Sequence, residues 1–275
     1  MATEKSRKTL MIGYKLRQFK LRLQGIIYSG RKYYCPLCNK FYRKFLDGGE
    51  DHAVLRRLKV IGAGRRPNMV CPGCHSTDRD RLLHTFLCNN NSVSFPKVSM
   101  LHIAPEPALY KWIKKQYHSN PANYTAGVKY HEGFYYDLDI NLIDITSLPY
   151  DDETFGLVMA NHVLEHIKDE SKALSEIFRV LKPDGKAILQ VPWSPLLDET
   201  IEEMKPMSEK EREEYFGQHD HVRLYGRDFV ERLTRAGFVV RSYALNELDA
   251  DQDYLNCIAV NADELVFLAS KQAKQ

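Results

Sequence analysis

The sequence predicts an α/β protein, in which a mostly parallel sheet is covered by helices and a small metal-binding domain comes first. From Lys97 onward, strand-like and helix-like segments alternate, as they do when parallel strands are joined by crossover helices. Before that point, four cysteines fall in two Cys-Pro-x-Cys pairs. A chain of 275 residues with 44% hydrophobic content is long enough for two domains.

Charge divides the chain into a basic and an acidic part. We expect a basic arm or helix over residues 1–32, a zinc-binding domain over residues 33–90 and the α/β domain over residues 97–275. Residues 1–97 contain 20 Lys/Arg and 6 Asp/Glu, whereas residues 98–275 contain 19 and 30, so the net charges are +14 and −11. This asymmetry indicates either an anionic partner such as RNA, a glycan or a phospholipid surface, or docking of the basic part on the acidic part.

The N-terminal segment has the pattern of a basic amphipathic helix. Over residues 5–25, Lys and Arg alternate with apolar residues at helical spacing. Such a segment lies on RNA, makes peripheral contact with a membrane, forms a solvated arm, or packs as a helix on its own domain. No stretch approaches the roughly 20 apolar residues of a membrane span, and the N-terminus lacks the apolar core of a signal peptide. We therefore expect a cytoplasmic protein without a transmembrane segment.

The cysteine pairs predict a structural zinc site. Cys35 with Cys38, and Cys71 with Cys74, each place two thiolates one tight turn apart, which suits two edges of a tetrahedral site. The 32 residues between the pairs must form a loop or hairpin of their own. The arrangement resembles a zinc ribbon, with His75 as the alternative to one thiolate. Four protein ligands leave no position for a substrate, so the Zn²⁺ is expected to be structural.

The α/β part can be divided into elements. The predicted strands are residues 98–104, 124–128, 139–145, 155–160 and 186–191, with 238–244 and 264–269 as a closing antiparallel pair. The predicted helices are residues 79–88, 109–117, 170–181 and 229–236. Pro183-Asp184-Gly185 is expected to end the third helix in a turn, with the glycine supplying a positive backbone angle. Ligands of parallel sheets bind at the carboxyl ends of the strands, so the functional residues should follow strands.

Three segments follow predicted strands in this way. His102-Ile103-Ala104-Pro105-Glu106 follows the first strand, the segment from Asp144 to Val158 follows the third, and Asn161 to Ile167 follows the fourth. This succession resembles the class I S-adenosylmethionine-dependent methyltransferases, in particular the group related to the ubiquinone and menaquinone biosynthesis methyltransferases. The resemblance covers about residues 97–270. It implies a Rossmann-like methyltransferase fold with a mostly parallel seven-stranded sheet, and S-adenosylmethionine as the cofactor.

The resemblance also implies residue roles. The acid that matches Asp144 accepts a hydrogen bond from the adenine amino group, while Ile145 offers a backbone amide and an apolar edge to the ring. Asn161 and His162 match residues beneath the methionine part and near the sulfonium.

The turn after the first strand departs from the family pattern. Ala104 and Pro105 replace the usual glycines. His102, Ala104 and Glu106 are the cofactor candidates in this turn, and Glu106 is expected to receive the methionine amino group. The acid that holds the ribose in the family has no clear match, because Gly127 stands near its place. The displaced candidates are Glu132, Asp137 and Asp139.

A polar segment between the fifth strand and the next helix is the predicted acceptor loop. It runs from Tyr215 to Gly226 and contains His219 and His221, either of which is a candidate general base because histidine titrates near neutral pH. The predicted substrate-binding residues are Trp193, Arg223 and Tyr225. In the alternative interpretation, Asp220 pairs with Arg223 and the histidines cap the following helix.

We therefore expect an S-adenosylmethionine-dependent methyltransferase. Its acceptor is a glycan, a lipid or another small metabolite, or RNA that binds through the basic N-terminal region. No Asn-Pro-Pro-Tyr-type motif follows the fourth strand, which disfavours methylation of adenine or guanine amino groups. The alternative is a non-catalytic zinc-ribbon adaptor that binds nucleic acid and carries a degenerate cofactor fold.

Overall fold

The computed structural model describes residue 16 and residues 19–129 and 140–273. Most of the predicted basic helix, and the displaced acid candidates Glu132, Asp137 and Asp139, lie outside the described residues. Residues 19–27 are helical (α1). Within the described ranges, no helix has both the length and the apolar character that crossing a bilayer requires.

The remaining helices and strands follow in chain order. The strands are Ser29–Cys35 (β1), Lys40–Tyr42 (β2), Leu46–Gly48 (β3), Arg66–Val70 (β4), Met100–Ile103 (β5), Tyr124–Val128 (β6), Asn141–Leu142 (β7), Phe155–Asn161 (β8), Leu181–Gln190 (β9), Ile201–Glu202 (β10), Arg223–Leu224 (β11), Val239–Tyr243 (β12) and Val266–Ser270 (β13). The helices are Ala53–Arg57 (α2), Asp78–Asn89 (α3), Pro107–Gln116 (α4), Glu170–Val180 (α5), Glu209–Phe216 (α6), Phe229–Arg235 (α7) and Gln252–Cys257 (α8).

A seven-stranded sheet forms the centre of the molecule. Its strands lie in the order β12-β13-β9-β8-β5-β6-β7. The strands from β7 to β9 are parallel, and β13 runs antiparallel to both β9 and β12. The chain enters the sheet at β5, adds β6 and β7 on one side, and then returns to add β8 on the other. This reversal between β5 and β8 is the position where parallel sheets bind their ligands. The predicted Rossmann-like α/β fold is confirmed.

Helices cover both faces of the sheet. Helices α5 and α7 pack on one face, where Leu174, Ile177 and Phe229 are buried. Helices α3, α4 and α8 pack on the other, where Phe86 and Ile113 are buried. Apolar side chains at helical spacing therefore form two cores, as the sequence periodicity predicts.

The turn at Pro183-Asp184-Gly185 differs from its prediction. Helix α5 ends at Val180 as expected, but Asp184, not the glycine, has the positive φ, at 61°. A Cβ on Gly185 would lie 2.8 Å from the carbonyl oxygen of Lys182. The glycine is needed for this close approach and not for its backbone angle.

The cysteine region consists of two small antiparallel pairs of strands, β1 with β2 and β3 with β4. In the sequence, helix α2 lies between β3 and β4. The intervening 32 residues thus form their own antiparallel pair of strands, in line with the predicted loop or hairpin, and also a short helix that was not predicted. Helix α3 follows at once and packs on the sheet, which fixes the cysteine region to the α/β domain.

One buried side chain joins these parts. Arg81 of α3 is 0% exposed, and its guanidinium donates to five backbone carbonyls. Two of them lie just after α8 and three lie in the cysteine region: Ile258, Ala259, Asn68, Met69 and Ser76.

Candidate functional site

The turns that follow β5 and β8 each contain a residue in the left-handed conformation. Ala104 has a φ of 48° and His162 a φ of 53°. Because β5 and β8 are parallel neighbours, the two turns lie side by side at the carboxyl edge of the sheet. Non-glycine residues rarely adopt this conformation, and such strain clusters at functional sites. Both candidates therefore lie at the edge where a cofactor is expected.

Polar side chains from the two turns meet across this edge. Asn161 donates its side-chain amide to the carboxylate of Glu106. The Oε2 atom of Glu106 also lies 3.5 Å from Nε2 of the fully buried His102. Among the described residues, Oδ1 of Asn161 and Nε2 of His162 are buried without a hydrogen-bond partner. Buried polar atoms are normally paired, so this cluster is suited to a polar ligand.

Helix α3 adds two charged side chains that were not predicted from the sequence. Arg79 donates from Nη1 to the carbonyl of Gly62 at 2.7 Å, and its Nε has no partner within the described part of the chain. Burial and, to a smaller extent, the nearby charge of Glu106 raise the pKa of Asp80 to about 7. The sequence feature that could have pointed to Arg79 and Asp80 is the run of alternating charges over residues 78–81, shortly after the second cysteine pair.

The cluster lies between two cavities. Asp80 and Glu106 line a cavity of 780 Å³ that continues along α4, where Trp112 and Lys115 contribute to its wall. Arg79 lines a second cavity of 230 Å³. The larger volume is within the range of about 300–1,000 Å³ typical of small-molecule sites.

Asp144 lies on the other side of β5, just after β7. Its carboxylate accepts hydrogen bonds from the backbone amide of Thr146 at 2.9 Å and from its hydroxyl at 2.7 Å, and these bonds lower the pKa of Asp144. Lys129 Nζ lies 3.4 Å from the second carboxylate oxygen, and the Asp144 side chain is 41% exposed. Ile145 is only 4% exposed and packs in the core. Its side chain therefore does not offer the apolar edge that the sequence suggested.

The four cysteines come together as predicted. Cys35 Sγ lies 3.6 Å from Cys74 Sγ, Cys38 Sγ lies 3.8 Å from Cys71 Sγ, and all four sulfur atoms lie within 4.8 Å of one another. Tetrahedral zinc, with Zn–S bonds of about 2.3 Å, requires sulfur atoms about 3.8 Å apart. The donor set and its spacing therefore fit Zn²⁺.

Hydroxyl groups surround the sulfur cluster. Ser76 Oγ lies 3.2 Å from the sulfurs of both Cys35 and Cys74, and Tyr42 OH lies 3.4 Å from Cys38 Sγ. Such contacts orient metal ligands and tune their basicity. His75, the alternative ligand, is not part of the cluster.

The 230 Å³ cavity has a polar wall made of Glu165, His166 and His221. Glu165 and His166 belong to the turn after β8, and His221 belongs to the loop before β11. The opposite wall comes from the cysteine region and includes Gly62 and Gly64. The cavity is therefore enclosed between the two parts of the protein.

The histidines and carboxylates of this wall influence one another's pKa. Burial lowers the pKa of His162 to about 4, so the ring is neutral at pH 7, and its Nδ1 lies 3.1 Å from Oε1 of Glu165. Burial also lowers the pKa of His221. Burial acts in the same direction on His166, but the carboxylate of Asp220, 3.2 Å away, raises the pKa of His166 above its ordinary value.

The two predicted general bases are placed differently. His221 is 4% exposed and lines the cavity. His219 is exposed and is not among the residues that line the cavity. Of the two candidates, the structure brings only His221 to the site.

Arg223 and Tyr225 do not face the cavity. Arg223 is 4% exposed and donates to the carbonyls of Leu164 and Ile167 and to the carboxylate of Glu202. Tyr225 is fully buried and donates its hydroxyl to Glu170 at 2.5 Å. Their hydrogen-bonding groups are engaged inside the protein and neither residue lines the 230 Å³ cavity, so their role in substrate binding stays a prediction. The alternative pairing of Arg223 with Asp220 is wrong, since Asp220 pairs with His166.

Trp193 contacts both the cysteine region and the central sheet. Its backbone exchanges hydrogen bonds with Ile61, at 2.8 and 3.1 Å, and its ring packs edge-on against Phe267. The neighbouring Pro192 lines the cavity and Trp193 does not. Trp193 therefore joins the cysteine region to the sheet, and its contact with an acceptor stays a prediction.

Comparison with known proteins agrees with this site. Residues 100–189, from β5 to β9, match a family described as a methyltransferase domain. The match contains the strands β5 to β9 of the sheet and the motifs at the carboxyl ends of β5 and β8. Residues 100–189 are therefore similar to a methyltransferase domain in both sequence and strand order.

The individual relatives cover short segments. The chain is 29% identical over 114 residues to an uncharacterized 37.1 kDa protein in transposon TN4556 of Streptomyces fradiae, which is 41% of this chain and 28% of that protein. It is 42% identical over 57 residues to demethylmenaquinone methyltransferase of Lactobacillus johnsonii, which is 20% of this chain and 23% of the relative. The chain thus spans about a quarter of the length of these curated relatives.

A solved structure with a similar chain path is the YcgJ protein from Bacillus subtilis. It has a TM-score of 0.42 and 13% identity, over 70% of this chain and 100% of that one.

Proposed function

We propose that this protein transfers a methyl group from S-adenosylmethionine to a small acceptor molecule bound in the 230 Å³ cavity. The observation that carries the proposal is the group of buried, partly unsatisfied polar atoms at the carboxyl edge of β5 and β8. Such groups are retained where a polar ligand completes their hydrogen bonds.

The methionine end of the cofactor fits the cluster around Glu106. Its ammonium group is a cation with three donors, and Glu106, Asp80 and Oδ1 of Asn161 are acceptors beside it. Its carboxylate is an anion, and Arg79 is a cation whose charge acts on both Asp80 and Glu106. A site for an ammonium group would account for the elevated pKa of Asp80. When no cation lies between them, the carboxylates of Asp80 and Glu106 repel each other, and this repulsion favours the protonated form of Asp80.

The adenine end fits the neighbourhood of Asp144. A carboxylate that is held by Thr146 and still 41% exposed has lone pairs available to an amino donor. Between the two ends the cofactor crosses the carboxyl edges of β5 and β6, as ligands of parallel sheets do.

Bound S-adenosylmethionine supplies an electrophilic methyl group on a sulfonium. The protein's part is to place an acceptor atom in line with the sulfur–carbon bond and to exclude water. His162 lies between the methionine cluster and the acceptor cavity, and its neutral ring adds no positive charge near the sulfonium. The acceptor atom would supply the electron pair of the new bond to the methyl carbon, the pair of the broken bond would stay on sulfur, and the acceptor proton would pass to water in the cavity.

The size of the cavity supports a small acceptor, or a terminal group such as a single sugar ring, over a nucleotide held within a folded RNA. The second cysteine pair of the four-cysteine site, which we propose holds a structural Zn²⁺, directly follows β4, and the segment between β3 and β4 contributes residues of the cavity wall.

Calorimetric titration of the zinc-loaded protein with S-adenosylmethionine and S-adenosylhomocysteine tests the proposal. We expect both to bind, and Asp144→Ala to weaken binding by about tenfold, the effect of one hydrogen bond to a charged group. Asp151→Ala, an exposed acid outside the cluster, is the matched control and should bind like wild type. If wild type binds neither ligand, the proposal fails and a non-catalytic adaptor becomes the better description.

A further inference from the structure

Three side chains in the wall of the 230 Å³ cavity form a second cluster of metal-binding type. They are Glu165, His166 and His221, and one ligand atom from each lies within 4.8 Å of the others. Two imidazoles and one carboxylate are a common ligand set for divalent transition metals that keep open positions.

The protein backbone fixes these three residues in place. Glu165 and His166 are consecutive in the turn Leu164–His166. The amide of Val222, next to His221, donates to the carbonyl of Glu165 at 2.9 Å. The cluster therefore consists of two chain segments joined by hydrogen bonds and not of mobile surface side chains.

Neighbouring groups orient two of the three side chains from behind. Oε1 of Glu165 contacts Nδ1 of His162 at 3.1 Å. Nδ1 of His166 contacts the carboxylate of Asp220 at 3.2 Å. A carboxylate behind a histidine is the usual outer contact of a metal-binding imidazole, because it fixes the tautomer and raises the basicity of the other nitrogen.

One atom of Glu165 and one of His221 have no hydrogen-bond partner among the described residues. Over the described ranges, Oε2 of Glu165 and Nδ1 of His221 are both buried and form no hydrogen bond. Leaving a buried carboxylate oxygen and a buried imidazole nitrogen unsatisfied costs about 1–3 kcal/mol each. A cation between them would satisfy both.

We propose that Glu165, His166 and His221 bind one divalent transition cation, such as Mn²⁺, Fe²⁺ or Zn²⁺, in the acceptor cavity. Three protein ligands leave coordination positions open toward the cavity. An acceptor with a hydroxyl or carboxylate oxygen would bind there; this role, unlike the metal site itself, rests on the proposed methyl transfer. In this arrangement His221 is a metal ligand and not a general base.

Electron paramagnetic resonance with Mn²⁺ tests the metal site on protein loaded with one equivalent of Zn²⁺ per chain, which the four thiolates bind in preference, so that the second cluster stays available. Mn²⁺ does not compete for four thiolates, which prefer zinc, so the cysteine site stays filled. We expect a single saturable Mn²⁺ per chain. His166→Ala should weaken its affinity by more than about tenfold, and Asp220→Ala by about tenfold through loss of the outer contact. His166 is only partly buried, so its replacement leaves the core intact.

His219→Ala is the matched control, because this histidine lies on the same loop but is exposed. It should bind Mn²⁺ like wild type. The metal site is disproved if wild type binds no Mn²⁺, or if His166→Ala and His219→Ala bind it equally. Calorimetry with S-adenosylhomocysteine on the same samples separates this result from the proposed function, since the cofactor can bind while the metal does not.

Discussion

The side-chain amide of Asn161 donates a hydrogen bond to the carboxylate of Glu106, so that the ends of the neighbouring strands β8 and β5 are joined at the cofactor edge. Because Glu106 is an anion held in a fixed position, it is the group on which recognition of the methionine ammonium should depend most. Glu106→Gln keeps the shape and removes the charge. We expect S-adenosylhomocysteine affinity to fall by about tenfold to a hundredfold, the range for a charge-assisted hydrogen bond.

Calorimetry measures this loss, and Glu214→Gln on the exposed side of α6 is the control. An unchanged affinity in Glu106→Gln would place the methionine end elsewhere.

Cofactor binding should release a proton near pH 7. The pKa of Asp80 is raised to about 7 by burial and by Glu106, so part of the protein carries a proton there at neutral pH. An incoming ammonium group favours the carboxylate and lowers that pKa, so affinity should decrease as the pH falls below 7. Titrations in buffers of different ionisation enthalpy measure the released proton.

Asp80→Asn provides the control for this effect, since the amide oxygen preserves the cap on the Thr77 amide but cannot titrate. Its binding should release no proton, and its affinity should no longer depend on pH in this range. Equal proton release in wild type and in Asp80→Asn would assign the titration to another group.

Removing one thiolate should remove the structural metal. Cys38→Ser leaves three sulfur ligands, and we expect loss of bound zinc together with a lower unfolding temperature, since the energy of metal binding is folding energy. Cys88 is exposed on α3 and lies outside the cluster, so Cys88→Ser should keep both zinc and stability. Elemental analysis and thermal unfolding measure the two properties, and equal zinc content in both variants would contradict the assignment.

Arg81 should be the most costly single cation to remove. Arg81→Met leaves several buried carbonyls without donors, so the free energy of unfolding should fall by more than about 3 kcal/mol. Arg57→Met, at the exposed end of α2, should change it by less than about 0.5 kcal/mol. Urea unfolding of the two variants compares them directly.

The sequence predicted those features that depend on residues close together in the chain. The cysteine pairs, the helical periodicity around Ile177 and the order of the motifs at Asn161 and Asp144 depend on neighbours in the chain, and the structure agrees with each. Asp144 remains a prediction as an adenine contact.

The differences from expectation concern residues whose partners are distant in sequence. Arg223 lies in a polar loop and carries a charge, so the sequence suggested a binding role. In the structure its guanidinium donates hydrogen bonds to three backbone carbonyls that lie 55 to 59 positions earlier in the chain. Arg79 was overlooked because it belongs to the end of the cysteine region, and only the packing of α3 on the sheet brings it to the cofactor edge.

The contacts of Arg81 also bear on how the chain is synthesised. Two of its carbonyl partners stand 177 and 178 positions later, close to the C-terminus. The cysteine hairpins therefore leave the ribosome long before these partners exist. Until then the guanidinium lacks part of its acceptors, so the hairpins can fold early but can be locked onto the sheet only after Ile258 and Ala259 have been synthesised.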